Sequence, residues 1–190
     1  GDIVSVLESS NIKIPYVICR DYSIPEWVNS HSLVICSSYS GNTEETLSAL
    51  DDAIKKRAVV CGLTTGGMLA ERLKKLEMDV IIVPSGLQPR AALAYSFIPM
   101  IKLLEKIGLI ETNIDTWLQQ SIESISSKRL LYSKNNDDNP LIELSKNIYK
   151  KIPIIYSDTS TMKVAGVRLK GQICENSKML SFFNELPEQN

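Results

Sequence analysis

Short runs of β-branched and other apolar residues alternate along the chain with longer segments in which apolar residues recur every three or four positions. The apolar runs lie at 14–19, 33–37, 58–63 and 80–83. Because they are nearly continuous in apolar character, they are typical of strands buried on both faces of a sheet. The segments 42–56 and 67–76 between them have the spacing of amphipathic helices. This order predicts an α/β fold with a parallel sheet and crossover helices.

The second half of the chain continues the alternation after a polar interruption. Helical patterns are predicted at 90–107 and 114–131, and then at 141–149 and 161–180, with a strand at 152–156 between the last two. The run 133–140 is polar and ends in proline, which is typical of a linker. We therefore predict a first domain over 1–132 with trailing helices, a linker over 133–140 and the start of a second domain over 141–190.

Composition narrows the classes of partner. Among 190 residues, 21 Lys and Arg face 22 Asp and Glu, and 44% of residues are hydrophobic. This balance is that of a soluble globular protein, and it provides no basic surface for a phosphate backbone. No apolar run approaches the roughly 20 residues that span a bilayer. We expect neither nucleic acid nor a membrane as a partner.

Cysteine and histidine usage argues against a metal site. Three of the four cysteines, Cys19, Cys36 and Cys61, fall in apolar runs, so we predict that they are reduced and buried. The single histidine, His31, stands in a polar turn, where we predict a surface position. This inventory cannot supply a zinc or haem site of the usual kind and fits a reducing cytoplasm.

The segment 37–46 (SSYSGNTEET) lies between a predicted buried strand and a predicted helix and is rich in hydroxyl groups. Ser38, Ser40 and Thr43 offer three of them, and Gly41 allows the backbone to come close to a ligand. The helix that follows presents free N–H groups and the positive end of its dipole. This pattern predicts a phosphate-binding loop; the alternative is a Ser/Thr-rich turn with a capping box. It is neither a Walker loop nor a GxGxxG motif.

Four motifs in order carry a resemblance to a known family. The segments 38–46 (SYSGNTEET), 84–93 (PSGLQPRAAL), 174–178 (CENSK) and 182–188 (FFNELPE) resemble those of the bifunctional phosphoglucose/phosphomannose isomerases, which belong to the sugar isomerase (SIS) domain superfamily. The similarity covers essentially all of the chain. It implies an SIS-type parallel sheet flanked by helices, followed by the start of a second SIS domain.

The resemblance also implies an activity and a set of site residues. A sugar phosphate would bind between two SIS domains and across a homodimer interface, with its phosphate on Ser38, Ser40 and Thr43. Arg90 would stabilise the enediolate oxygen, and Glu175 would act as the general base that moves a proton between C2 and C1. The expected reaction interconverts glucose 6-phosphate, and mannose 6-phosphate, with fructose 6-phosphate through a cis-enediol, without a metal or organic cofactor.

Two departures from the family pattern are visible. The family's ring-opening histidine would follow the motif at 182–188, beyond Asn190, and only Gly1 and Asp2 match the end of its first glycine-rich motif. We therefore expect a chain truncated at both ends. The alternative function is a non-catalytic sugar-phosphate-binding module, which would keep the hydroxyl-rich loop but have no use for Glu175 and Arg90. A purely structural α/β domain leaves the clustered hydroxyls unexplained.

Overall fold

A computed structural model describes residues 1–136 and 138–186. The chain divides into two compact units, Gly1–Ile110 and Glu111–Asn190. Within the described residues, no helix is both long enough and apolar enough to cross a bilayer.

The first unit is built on a three-stranded parallel sheet. Its elements are α1 (Asp2–Leu7), β1 (Leu33–Ser37), α2 (Glu44–Lys55), β2 (Val59–Thr64), α3 (Gly67–Lys75), β3 (Asp79–Ile82) and α4 (Leu93–Lys106), with a 3₁₀ turn at Pro89–Ala91 before α4. The strand order is β1-β2-β3. Leu33 pairs with Val59, and Cys61 pairs with Asp79. The predicted parallel α/β arrangement is confirmed.

Side chains of the central strand β2 alternate between two helical layers. Val60 belongs to a buried cluster that includes residues of α2 and α3. Gly62 faces the same layer, because a Cβ atom added there would lie 2.2 Å from Cδ1 of Leu73. Cys61 and Leu63 are buried with the opposite orientation, and α4 contacts β2. Helices therefore cover both faces of this sheet.

The predicted strand at 14–19 is wrong. Residues 15–20 have no regular secondary structure. A cavity lies between this segment and β1, and both line it. Within the described residues, the backbone of 14–19 makes no hydrogen bond, since the cavity separates it from β1 and leaves it without a strand partner. The predicted burial of Cys19 is also wrong. Its side chain is exposed, since the segment that carries it is not part of the sheet. Cys36 and Cys61 are buried as predicted.

The second unit contains a two-stranded parallel sheet. Its elements are α5 (Ile114–Tyr132), α6 (Pro140–Ile148), β4 (Ile154–Asp158), α7 (Lys163–Ser177) and β5 (Phe182–Leu186). β4 and β5 pair in parallel, with Ile154 opposite Phe182. The sequence did not predict β5, because Asn184 and Glu185 interrupt its apolar run. Pro187 and Glu188 of the motif at 182–188 lie outside the described residues.

The polar run 133–140 connects α5 to α6. Asn139 is buried, and its side-chain oxygen accepts a hydrogen bond from the Leu141 amide at 3.0 Å, which caps α6. Its amide group donates to the carbonyl oxygens of Tyr132 and Lys134. Pro140 occupies the first turn of α6, a position that tolerates proline. This connection is therefore held by specific hydrogen bonds, and the assignment of 133–140 as a boundary between domains stays a prediction.

Candidate functional site

The hydroxyl-rich loop follows β1 at the carboxyl edge of the first sheet. The Ser38 amide donates to the Leu63 carbonyl at 3.1 Å and so extends the pairing of β1 with β2 by one residue. The Ser38 hydroxyl is buried, lies 2.7 Å from the Thr43 hydroxyl and accepts a hydrogen bond from the Gly41 amide at 3.1 Å. Ser38 therefore closes the loop on itself, while Ser40 and Thr43 are exposed.

Thr43 is the N-cap residue of α2, yet its side chain makes no capping hydrogen bond. Its hydroxyl pairs with Ser38 instead. By contrast, the Asn113 side chain caps α5 by accepting a hydrogen bond from the Thr116 amide at 3.0 Å. The predicted alternative, a capping box at Thr43, is therefore absent. The first turn of α2 keeps N–H groups without a side-chain acceptor, and an anion can take that place.

A second loop, at the end of β2, supports the first through close backbone contacts. Gly41 has φ +72°, and a Cβ atom there would lie 2.0 Å from the Gly66 carbonyl oxygen. Gly67 has φ +65°, and its Cβ would lie 2.5 Å from the Ser40 carbonyl oxygen. The Asn42 side chain also accepts a hydrogen bond from the Met68 amide at 3.0 Å. These two glycines are required because both a positive φ and a short approach between loops exclude a side chain.

Tyr39 connects the hydroxyl-rich loop to a third loop, which follows β3. Its phenolic hydroxyl donates to the Pro84 carbonyl at 3.0 Å and accepts from the Leu87 amide at 3.3 Å. Its own carbonyl accepts hydrogen bonds from the amide and the hydroxyl of Thr65 at 3.0 and 2.8 Å. Arg90 lies three residues after Leu87, on the 3₁₀ turn, and is exposed. One tyrosine thus links all three loops at this edge of the sheet.

The charged side chains at the start of α2 are acidic. Glu44 and Glu45 occupy the first turn of α2, where carboxylates stabilise the helix dipole. Their charges, that of Glu45 most, raise the pKa of the nearby Tyr22 hydroxyl. A bound phosphate would have to compete with these carboxylates, so hydroxyl and amide donors must supply much of its binding.

The buried cysteine of β1 and the single histidine are poor candidates for chemistry. Burial, with a smaller contribution from Cys61, raises the pKa of the Cys36 thiol to about 12, which leaves it protonated at neutral pH. His31 is exposed as predicted, and its backbone amide donates to the Asn29 side chain at 2.9 Å. Neither residue belongs to the hydroxyl-rich loop.

Glu175 belongs to the second unit, near the end of α7, and its side chain is exposed. The loop that leads into α7 is organised by Asp158, whose carboxylate accepts hydrogen bonds from the amides of Met162 and Ser160, each at 3.0 Å. These bonds, led by that from Met162, hold the pKa of Asp158 below its usual range. Asp158 was not among the residues predicted from the sequence, although an aspartate at the end of a strand, followed by Ser and Thr before a helix, is the signal for such a turn.

The structure thus brings Ser38, Ser40 and Thr43 into one loop and joins the loop of Arg90 to it through Tyr39. Glu175 belongs to the second unit, Glu111–Asn190. Sequence reasoning missed the supporting contacts made by Asn42, because they depend on the approach of two loops that are distant in the chain.

Comparisons with known proteins agree with the fold. The family model for the bacterial phospho-glucose isomerase C-terminal SIS domain matches residues 137–190. Bifunctional phosphoglucose/phosphomannose isomerases of Caldicellulosiruptor bescii and Thermoplasma acidophilum are 46% and 39% identical to the chain over its whole length. The chain spans 56% of the length of each of these relatives.

A solved structure shows the same architecture. A Bacillus subtilis protein described as a phosphosugar isomerase superposes with a TM-score of 0.51 over 85% of this chain and 49% of its own, at 22% identity. At this identity the likeness establishes the fold alone, which is that of parallel sheets flanked by helices.

Proposed function

We propose that this chain acts as an aldose–ketose isomerase. The proposal is supported by its homology, along its whole length, to the bifunctional phosphoglucose/phosphomannose isomerases. The reaction interconverts glucose 6-phosphate and mannose 6-phosphate with fructose 6-phosphate through a cis-enediol. The single observation that carries the substrate class is the hydroxyl of Thr43, which turns from the helix start towards Ser38 and leaves the first turn of α2 open to an anion.

Three hydroxyls and the helix start would bind the phosphate together. Ser40 and Thr43 are exposed and would donate to the phosphate oxygens. Ser38 is buried and hydrogen-bonded to Thr43. Its hydroxyl would therefore either orient the Thr43 hydroxyl towards the phosphate or rotate to donate to the phosphate itself. Charge-assisted hydrogen bonds of this kind are stronger than neutral ones, which offsets the nearby carboxylates of Glu44 and Glu45.

The isomerisation itself requires a base and a cation. Glu175 would remove the proton from C2 of the opened aldose and return it to C1, and the charge that develops on the enediolate oxygen would be stabilised by Arg90. The two hydrogen bonds between the Tyr39 hydroxyl and the loop of Arg90 support this role, since they attach that loop to the hydroxyl-rich loop. Such a reaction needs neither a metal nor an organic cofactor. We further propose that the active enzyme is a homodimer and that it acts in the cytoplasm.

Removal of the Ser40 hydroxyl tests the phosphate site. For Ser40→Ala we expect fructose 6-phosphate to bind more weakly by about 1 to 3 kcal/mol, because a hydrogen bond to a charged group is lost. Titration calorimetry measures this change, with Ser9→Ala, another exposed serine, as the matched control. If the affinity of Ser40→Ala equals that of the unchanged chain, the loop does not bind the phosphate.

Glu175→Gln separates the enzyme from a sugar-phosphate-binding module, the alternative function. If the chain turns over fructose 6-phosphate in a coupled assay, we expect the Gln variant to bind the sugar as before and to lose at least about a hundredfold in rate, since general bases contribute about 10² to 10⁴. Full activity of the variant would place the base elsewhere. Binding without turnover in the unchanged chain would favour the binding module for this chain.

A further inference from the structure

The first turn of α3 is capped by the hydroxyl-rich loop and not by its own N-cap residue. That residue is Gly66, which has no side chain to offer. The Met68 amide donates instead to the side-chain oxygen of Asn42 at 3.0 Å, and the Leu69 amide donates to the Gly41 carbonyl at 2.9 Å. The amides that a helix start leaves without intrahelical partners thus hold a neighbouring loop in place.

These contacts also orient the opposite side of the loop. The Gly41 carbonyl points towards α3, and because the peptide group is planar and trans, the amide of Asn42 points the other way. That amide donates to the Ser40 hydroxyl at 3.3 Å. The attachment of the loop to α3 therefore helps to fix the position of Ser40, one of the three hydroxyl residues of the proposed phosphate site.

The hydrogen bond from Met68 requires an acceptor oxygen but not an amide group. Aspartate is about as favourable as asparagine at helix starts, and its charge would interact well with the positive end of the α3 dipole. The chain uses a carboxylate for a similar task ahead of α7, where Asp158 accepts from the amides of Ser160 and Met162. Capping alone therefore does not account for a neutral side chain at Asn42.

The ligand proposed for this loop supplies the reason. Asn42 stands between Ser40 and Thr43 in the chain, and Glu44 and Glu45 follow them in the first turn of α2. A carboxylate at position 42 would be a third negative charge beside a phosphate. Repulsion at such short range is only partly screened by water and salt. An amide makes the same contact with α3 without that repulsion.

We propose that Asn42 is a positioning residue of the phosphate site, whose neutral side chain attaches the hydroxyl-rich loop to the start of α3 and keeps negative charge away from the anion. This inference rests on the proposed function, because it concerns the same phosphate. Asn42 acts through Ser40 and is not itself a ligand. Two properties of one side chain can then be separated: its oxygen holds the loop, and its lack of charge admits the phosphate.

Asn42→Asp and Asn42→Ala test the proposal, with titration calorimetry of fructose 6-phosphate and hydrogen exchange of the Met68 amide as readouts. Asn42→Asp keeps the acceptor, so we expect the Met68 amide to stay protected while the affinity falls by about tenfold at about 50 mM salt. Its deficit relative to the unchanged chain should shrink at about 0.5 M salt, because salt screens the repulsion.

Asn42→Ala removes the acceptor and adds no charge. The Met68 amide should exchange about tenfold faster in this variant, and its deficit in affinity should be the same at both salt concentrations. Asn135→Asp, which adds the same charge at an exposed position of the second unit, is the matched control. It should bind fructose 6-phosphate as the unchanged chain does.

Three outcomes would overturn the proposal. Equal affinity of Asn42→Asp and the unchanged chain would show that the side chain need not be neutral. Faster exchange at Met68 in Asn42→Asp, or a deficit that salt does not reduce, would show that its weaker binding has a structural cause. If the unchanged chain does not bind fructose 6-phosphate, the proposed phosphate site itself fails, which is a different result from binding that Asn42→Asp leaves intact.

The unchanged chain keeps the proposal testable if Asn42→Asp does not fold. A bound phosphate and the contact of the loop with α3 should stabilise each other, because coupling between two sites is reciprocal. Saturating fructose 6-phosphate should therefore slow exchange of the Met68 amide by about tenfold. Exchange at Met68 that the bound sugar phosphate leaves unchanged would contradict a positioning role for Asn42.

Discussion

The hydroxyl of Thr43 has two possible partners, and the choice between them decides what the loop can do. As a capping group it would satisfy the first amides of α2, which is the ordinary role of threonine at a helix start. It pairs with Ser38 instead. The spacing of Ser38, Ser40 and Thr43 in the sequence was enough to predict a common loop. The direction of the Thr43 hydroxyl was not predictable, because it depends on the burial of Ser38 beneath it.

Cys36 makes the stability of the protein sensitive to alkaline pH. Its pKa is raised by burial from 9.0 to about 12 in the folded protein. The unfolded chain therefore loses its thiol proton first, and the stabilisation is complete below pH 9 and is lost as the pH rises towards 12. From this residue alone we expect the free energy of unfolding to fall by about 1.4 kcal/mol between pH 8 and pH 10. Urea unfolding at both pH values measures the change.

A Cys36→Ala variant serves as the comparison for that experiment. It should lose most of this pH dependence and keep the smaller part that comes from Cys61, whose pKa is also raised by burial. Cys174→Ala is the matched cysteine control. A slope that is identical in the Cys36→Ala variant would show that the thiol ionises as easily in the folded protein as in the unfolded chain.

At the scale of the elements, the sequence predicted most helices and strands but not all of their pairings. The run 33–37 coincides with β1, and the helical patterns at 42–56 and 67–76 contain α2 and α3. Their periodicity is local, so it can be read without knowledge of the rest of the fold. The segment 14–19 has an equally apolar pattern and forms no strand, because a strand exists only where a neighbour supplies hydrogen bonds.

The loop after β1 and the loop after β3 should respond together to a change at Tyr39. For Tyr39→Phe we expect a loss of about 1 kcal/mol in stability, because two hydrogen bonds of one hydroxyl disappear. The Leu87 amide should exchange its hydrogen faster by about tenfold, and fructose 6-phosphate should bind more weakly if the loop of Arg90 contributes to the site. Tyr132→Phe in α5 is the matched control. Unchanged exchange at Leu87 would show that the link is not what orders this loop.

On the scale of the whole molecule, the two units differ in how much apolar surface each buries in its own core. Among the described residues, the buried apolar side chains lie in the first unit with the exception of Ile114. The sheet of the second unit leaves Ile154 and Phe182 more than half exposed. Burial of apolar surface is the main source of stability, so the second unit should open more readily than the first.

A core substitution tests whether the two units unfold separately. Leu73 of α3 is fully buried, and Leu73→Ala should destabilise the first unit by about 2 to 5 kcal/mol through the cavity that it creates. We expect amides of β2 to exchange faster in this variant and those of β4 to keep their rates. Leu144→Ala, at a half-exposed position of α6, is the control. Equal acceleration in β2 and β4 would show that the chain unfolds as one cooperative structure.

The contact between the loops of Gly41 and Gly67 limits how such a site can change over generations. Any single substitution at either position meets backbone that cannot move aside and a φ that other residues rarely adopt. Ser40, whose side chain is exposed, can vary around this fixed frame. New ligand preferences can therefore evolve through substitution of exposed side chains on the loop, whereas the path of its backbone is inherited unchanged.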